Sequence, residues 1–313
     1  MSNNRTVAGT LGNMAGPVTP GPVGRSRRIG LAGGQLAGIV GVAPFLIFAA
    51  LFLVIPTLDL VAGAFFDNSG NLTLANFADL TQPTIVSAYV ISIKVSGASA
   101  GLGVAIGLIL ALAVGRGGLP SWIRSTAMTF SGVASNFAGI PLAFAFLATL
   151  GRLGLMTVLL RTFAGLDIYR AGFNLLSFWG LTLTYLYFQI PLMVLIIMPA
   201  IDGLKREWSE AAETLGATRI QFWRHVGLPV LWPSILGTLA LLFANSFGAV
   251  ATAYALTGSS LNIVPILLYA QIRGDVLHNE HLGAALALGM VVITGLANAA
   301  YLVLRSRAER WLR

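Results

Sequence analysis

Few residues of this chain could do chemistry, and the spacing of most of them argues against an enzyme. The lysines are Lys94 and Lys205 alone, and Ile93 and Leu204 precede them, so no Gly-Lys phosphate loop exists. If ATP drives this chain, its hydrolysis resides on another polypeptide. Cysteine is absent, which removes thiolate nucleophiles, cysteine metal sites and disulfides. His278 and His281, with Glu280 between them, form a weak metal signal without a third ligand, and a surface loop is their expected setting. His225 lies in a charged stretch and is expected to be structural. No Ser/His/Asp arrangement or paired-carboxylate site stands out, so no catalytic residue, metal site or bound cofactor is assigned to the chain. Within the apolar runs, Asp59 and Lys94 are nearly the only ionisable groups. Such groups more often snorkel or bond between helices than meet a substrate.

The polar chemistry is concentrated instead in residues 202–232, DGLKREWSEAAETLGATRIQFWRHVGLPVLW. Lys205, Arg206, Arg219 and Arg224 stand there beside Asp202, Glu207, Glu210 and Glu213. Ser209 is the expected N-cap of a short helix, with Glu210 in its first turn at the positive end of the dipole. Ala211 and Ala212 keep that helix thin, and Gly216 ends it by adopting a left-handed conformation. A second amphipathic helix from about Thr218 to His225 is expected to set Ile220, Phe222, Trp223 and Val226 against apolar neighbours. Leu228-Pro229 is expected to stop it. Physics alone leaves this loop either an ordinary connecting hairpin or a docking surface.

The elements that must position this loop are membrane helices. The chain is 56% hydrophobic and 10% charged, with a mean hydropathy of +0.82, against about 25% charged residues in a soluble domain. Six apolar segments each reach the roughly 20 residues that cross a bilayer. They lie near Leu36–Phe65, Ile85–Gly115, Trp122–Leu150, Phe178–Ile201, Pro233–Leu256 and Leu282–Leu304. Continuous apolar runs favour helices over a barrel, giving an all-α membrane protein. The net charge of +8 sits in the gaps between these runs, which fits membrane orientation and not nucleic-acid binding. Arg5, Arg25, Arg27, Arg28, Arg116, Arg124, Lys205, Arg206, Arg219, Arg224, Arg305, Arg307, Arg310 and Arg313 would share one side. Arg152, Arg161, Arg170 and Arg273 would face the other, so the positive-inside rule places both termini in the cytoplasm. Residues 1–35 lack apolar content and read as a disordered cytoplasmic tail, residues 36–304 as a six-helix transmembrane domain, and residues 305–313 as a basic cytoplasmic tail. Residues 67–84 form an outer polar loop, and the outer loop 151–177 has room for a short interfacial helix. No repeat relates the two halves.

EAAETLGATRIQFWRHVGLP resembles the EAA motif of permeases in binding-protein-dependent ABC importers: Glu210, Ala211 and Ala212, then Gly216, then Val226, Leu228 and Pro229. Valine stands at 226 where that family usually has isoleucine. The likeness runs from about Phe45 to Leu304. It implies a type I permease fold in the cell inner (plasma) membrane, with 202–232 as a coupling loop that docks on a cytoplasmic dimer of ABC ATPases. ATP and magnesium would be held on those subunits. The same likeness implies a second permease subunit, as a heterodimer, and a periplasmic or other extracytoplasmic solute-binding protein, with lipid as the remaining contact. A self-sufficient secondary transporter or channel is the alternative class.

The first outer loop and ATAYALTGSSLNIVPILLYAQI look most like the spermidine/putrescine branch of that family, which also includes aminophosphonate permeases. Candidate groups along the solute path are Asn136, Tyr185, Gln189, Asn245, Ser246 and Tyr254. Hydrogen bonding between helices is the plainer role for each of them.

Overall fold

The computed structural model describes residues 31–67, 70–273 and 279–311. Of the expected N-terminal tail, residues 1–30 lie outside the described residues, as does His278. Helix begins at Leu31, ahead of the expected boundary, because LAGGQLAGIVG joins the apolar run without a break. α1 (Leu31–Ala49) passes through a widened π turn, Ala50–Val54, into α2 (Ile55–Gly63). Pro56 has no N–H to give and its ring would crowd the carbonyl of Phe52 in a regular helix. The wide turn, closed by Ile55 N–H on Ala50 O, absorbs it. Among the described residues, those up to Pro56 belong to one compact unit and those from Thr57 onwards to another. In the first unit Phe45, Leu46, Phe48 and Phe52 are all exposed, as on a helix that is apolar all round.

The second unit opens with the end of α2 and the short α3 (Ala75–Asp79). Asn76 is buried there, its Nδ2 donating to Ala64 O at 3.0 Å and Phe66 O at 2.9 Å. Then come α4 (Pro83–Arg116), α5 (Ser121–Asn136), α6 (Ile140–Leu150), α7 (Leu155–Phe163) and α8 (Phe178–Asp202). They are followed by α9 (Arg206–Thr214), α10 (Arg219–Phe222), α11 (Leu228–Phe247), α12 (Val250–Thr257), α13 (Val264–Arg273) and α14 (Glu280–Trp311). Among the described residues six stretches are long and apolar enough to cross a membrane: Val40–Gly63, Pro83–Arg116, Ile140–Phe163, Phe178–Asp202, Arg219–Phe247 and Glu280–Leu304.

The centre of this unit is the pairing of α4 with α8. Lipid tails are as apolar as leucine, so membrane helices associate through close packing and hydrogen bonds. α4 supplies the close packing with small residues four apart, Gly103, Gly107 and Ala111, followed by Gly115. A β-carbon added at Gly107 would lie 2.6 Å from Met193 Cβ and 3.0 Å from Ile190 O, and one at Gly103 would lie 2.9 Å from Gln189 Cβ. Around this seam Met193, Ile197, Ile201, Leu231 and Leu242 are buried in one cluster. α14 is tied to α4 by Tyr89, whose hydroxyl donates to Leu286 O at 2.8 Å.

Four expected boundaries differ in the structure. The third candidate span is Ile140–Phe163 and not the expected Trp122–Leu150, because the helix breaks between α5 and α6. Gly139 takes φ +75 and ψ −150, open to glycine, and Pro141 in the first turn of α6 could not continue a helix from Phe137. The fifth is also interrupted, at Gly248–Ala249 between α11 and α12. Leu228-Pro229 does not stop the helix before it. A π turn at Trp223–Gly227, closed by Leu228 N–H on Trp223 O, carries α10 through the proline into α11. At the C-terminus α14 runs on to Trp311, so most of the expected basic tail continues the helix. Residues 151–177 do contain a short helix, α7, but it follows α6 within the candidate span Ile140–Phe163 and so extends that span, and Tyr169 fastens the segment by donating to Leu150 O at 2.8 Å.

Candidate functional site

The loop 202–232 builds a rigid corner from local rules. α9 starts after Lys205, not at Ser209, and Glu207 is the carboxylate of its first turn. The reason is tertiary: Leu204 is buried and Trp208 packs against the core cluster of α8 and α11, which fixes the first turn four residues early. Arg206 Nε meets Glu210 Oε1 at 3.1 Å on the exposed side, a pair of small energetic weight. The far end closes as a Schellman motif. Gly216 has φ +76, its N–H donates to Glu213 O at 3.0 Å, and Ala217 N–H donates to Ala212 O at 2.9 Å.

The next helix starts with a capping box. Thr218 Oγ1 accepts from Gln221 N–H at 3.3 Å, and Thr218 N–H donates to Gln221 Oε1 at 2.8 Å. The pattern T-x-x-Q was the readable signal for this start. Phe222 is buried and Trp223 and Val226 are half-buried, as expected, but Ile220 is 80% exposed. It stands with Leu215, 87% exposed, on either side of the Gly216 turn. Glu210 and Ala211 are exposed, Ala212 half-buried, and Leu228 and Pro229 exposed within the continuous helix. Behind the corner lies an open cleft of about 570 Å³ lined by Arg116, Arg206, Glu210, Glu213, Arg219 and Trp223 among others.

Two arginines outside the loop hold its start. Arg116, in the last turn of α4, donates to Ile201 O at 3.2 Å and to Leu204 O. Arg124 of α5 pairs with Asp202 at 2.6 Å. In the sequence alone both residues serve only to orient the chain.

The expected path residues fall into two sets. Tyr185, Gln189 and Ser246 are buried inside the protomer. Gln189 Nε2 donates to Leu242 O at 3.0 Å, Ser246 Oγ donates to the same carbonyl at 3.1 Å, and Tyr185 OH donates to Ala249 O at 3.2 Å. The cavity beside Tyr185 and Ser246 measures about 10 Å³, room for a water and not for a solute. Asn136, Asn245 and Tyr254 are exposed. Asn136 ends α5 at the first helix break, and Asn245 and Tyr254 flank the second. The two breaks adjoin, because Gly139 N–H donates to Thr252 Oγ1 at 2.7 Å. Tyr254 packs on Tyr269 with ring centroids 4.6 Å apart. Interrupted helices of this kind leave backbone polar groups free at membrane depth, tolerated where they line a cavity. Elsewhere, His281 Nδ1 lies 3.0 Å from Gly63 O. Among the described residues no three His, Asp or Glu side chains gather as a metal site.

Comparison with known proteins gives the same outline. Residues 103–313 match the family described as binding-protein-dependent transport system inner membrane component. The match begins within α4, later than the expected Phe45. The sulfate transport system permease protein CysT of Salmonella typhimurium is 28% identical over 217 residues, 68% of this chain and 73% of that protein. The molybdenum transport system permease protein ModB of Mycobacterium tuberculosis is 29% identical over 226 residues, 70% of this chain and 80% of that protein. The spermidine/putrescine transport system permease protein PotC of Escherichia coli is 25% identical over 134 residues, 43% of this chain and 50% of that protein. In fold, the chain resembles a chain of a bacterial ABC transporter involved in the import of the acidic polysaccharide alginate. The TM-score is 0.65 at 17% identity, covering 88% of this chain and 96% of that one.

Proposed function

The chain belongs to the binding-protein-dependent transport system inner membrane component family, and from that premise we propose how it is driven and what it carries. It is a multi-pass inner-membrane permease subunit of an ABC importer, a transport component and not an enzyme. In our reading the corner formed by α9, Gly216 and α10 docks on a cytoplasmic ATPase dimer, which holds ATP and magnesium. Glu210, Ala211, Ala212 and Gly216 supply the docking helix and its end. Leu228 and Pro229 belong to the continuous helix that carries its motion into the fifth span. A second permease subunit, as a heterodimer, and an extracytoplasmic solute-binding protein complete the assembly. Arg116, Arg124, Lys205, Arg206 and Arg219 share the end that bears this corner, which supports a cytoplasmic position for it.

The observation that carries the docking is the exposure of Leu215 at 87% and Ile220 at 80% on either side of the Gly216 turn, among the exposed charged groups Glu210, Glu213 and Arg219. Burying such a side chain is worth about 1.5–3 kcal/mol, so these two are the natural anchors for a partner. Leu215→Asp in the assembled complex should weaken ATPase retention about tenfold or more while the permease stays in the membrane. Retention equal to wild type would refute the docking assignment.

For the solute we favour a small inorganic oxyanion. The relatives named for sulfate and molybdenum align over more of the chain than the one named for spermidine and putrescine. Residues 83–116, 121–150, 178–201 and 228–257 contain no Asp or Glu. A polycation crossing them would meet no carboxylate, whereas Lys94 offers an exposed positive charge. Polyamine import is the second reading, resting on the PotC likeness and on aromatic groups such as the Tyr254–Tyr269 pair. An aminophosphonate would share the oxyanion chemistry. Uptake of sulfate, molybdate and spermidine by cells carrying the intact system separates them. Spermidine uptake alone would refute the oxyanion reading and leave the permease assignment standing.

A further inference from the structure

Between α8 and α9 lie only Gly203, Leu204 and Lys205. A three-residue joint with a glycine could flex and dissipate any displacement of α9 before it reached a membrane helix. The joint is instead gripped from both sides. Asp202, on its near side, takes the guanidinium of Arg124 at 2.6 Å. Leu204, within it, and Ile201, just before it, give their carbonyls to Arg116. These are charge-assisted bonds to the unsatisfied end of a helix, where a cation is also favoured by the dipole.

Each arginine opens onto a different element. Arg116 ends α4, which is locked to α8 along the small-residue seam, and a β-carbon at Gly115 would lie 3.1 Å from Ile201 Cγ2. Arg124 sits in the first turn of α5, and Asn136 ends that helix at the break joined to α12. Arg124 and Asn136 lie twelve helical rises apart, a rigid rod of about 18 Å.

We infer that Arg116 and Arg124 are positioning residues that clamp the joint, so that a displacement of α9 moves α4, α5 and α8 together and reaches the helix breaks through α5. The inference rests on the ATPase-docking reading of the corner and extends it to residues outside the loop. A transmission route needs a test of coupling and not of proximity.

The chain has no cysteine, so Asn136→Cys gives a single labelling site at the break. In the full complex with its partner subunits in proteoliposomes, maleimide labelling is compared without nucleotide and with ATP plus vanadate. Nucleotide should change the labelling rate in the parent complex. Arg116→Met and Arg124→Ala should abolish that change while the ATPase stays bound and hydrolyses ATP, a split that loss of folding would not produce. The exchange Arg124→Asp with Asp202→Arg should restore it. A nucleotide response that persists in the Arg116→Met, Arg124→Ala double variant overturns the clamp. So does an exchanged pair that retains ATPase but shows no response. A parent complex that retains no ATPase would instead count against the docking reading and the clamp with it. A parent that retains the ATPase but shows no response overturns the clamp alone.

Discussion

Replacing Gly216 by alanine isolates one physical quantity, the backbone strain at the turn that fixes the end of α9. Gly216 has φ +76, and no atom lies within 4 Å of where a β-carbon would stand, so steric crowding adds nothing. What remains is the cost of placing an L-residue in the left-handed region, about 1–2 kcal/mol. That corresponds to a population shift of about 5–30-fold towards the opened turn. The turn is reported by two amides, residue 216 bonded to Glu213 O and Ala217 bonded to Ala212 O. Hydrogen exchange by mass spectrometry on the purified complex should show their protection falling by that factor in Gly216→Ala, with α8 and α11 unchanged. Asparagine tolerates the left-handed region and stiffens the open loop as alanine does, so Gly216→Asn should recover most of the protection. Equal protection in all three proteins, or equal losses for alanine and asparagine, would refute the strain argument.

Two further outcomes follow from the packing and the caps. Thr218→Ala removes one half of the capping box and should cost about 1 kcal/mol locally, seen as faster exchange at Arg219–Phe222 with the core of α11 unaffected. Gly107→Leu forces a side chain into a site where even a β-carbon would lie 2.6 Å from Met193 Cβ. It should destabilise the α4–α8 pair by at least the 1–3 kcal/mol of ordinary overpacking, read as a lower Tm in detergent. Adding Met193→Gly, which removes the β-carbon that the new side chain meets, should recover part of the loss, and an unchanged Tm in Gly107→Leu would contradict the close approach.

Much of the fold was legible because the bilayer imposes a length and a hydropathy that single residues cannot hide. Six apolar runs led to six candidate spans, and Gly216 was read as a helix end because few other residues serve there. The interruptions were harder to see. The sequence NFAGIP carried a glycine two residues before a proline, which marks the α5–α6 break, yet apolar continuity across it masked the signal. Pro229 misleads for the opposite reason. Proline ends a regular helix, but the π turn at Trp223–Gly227 shifts the pairing by one residue and lets the helix continue. Ser209 looked like a cap, and the burial of Leu204 and the packing of Trp208 moved the start to Arg206 instead.

The candidate site divides along the same line. Composition and the EAA pattern by themselves determined that this chain crosses the membrane and belongs among importer permeases, since those properties are local or additive along the chain. Which polar residues meet one another is neither. Whether Gln189 and Ser246 share the carbonyl of Leu242 or face a solute depends on how far α4, α8 and α11 approach, and glycines spread along α4 set that distance. Arg116 and Arg124 likewise carry the same charge wherever they stand. Only the tertiary structure brings them to Leu204 and Asp202, some eighty residues away, because a guanidinium finds its partner through space and not along the chain.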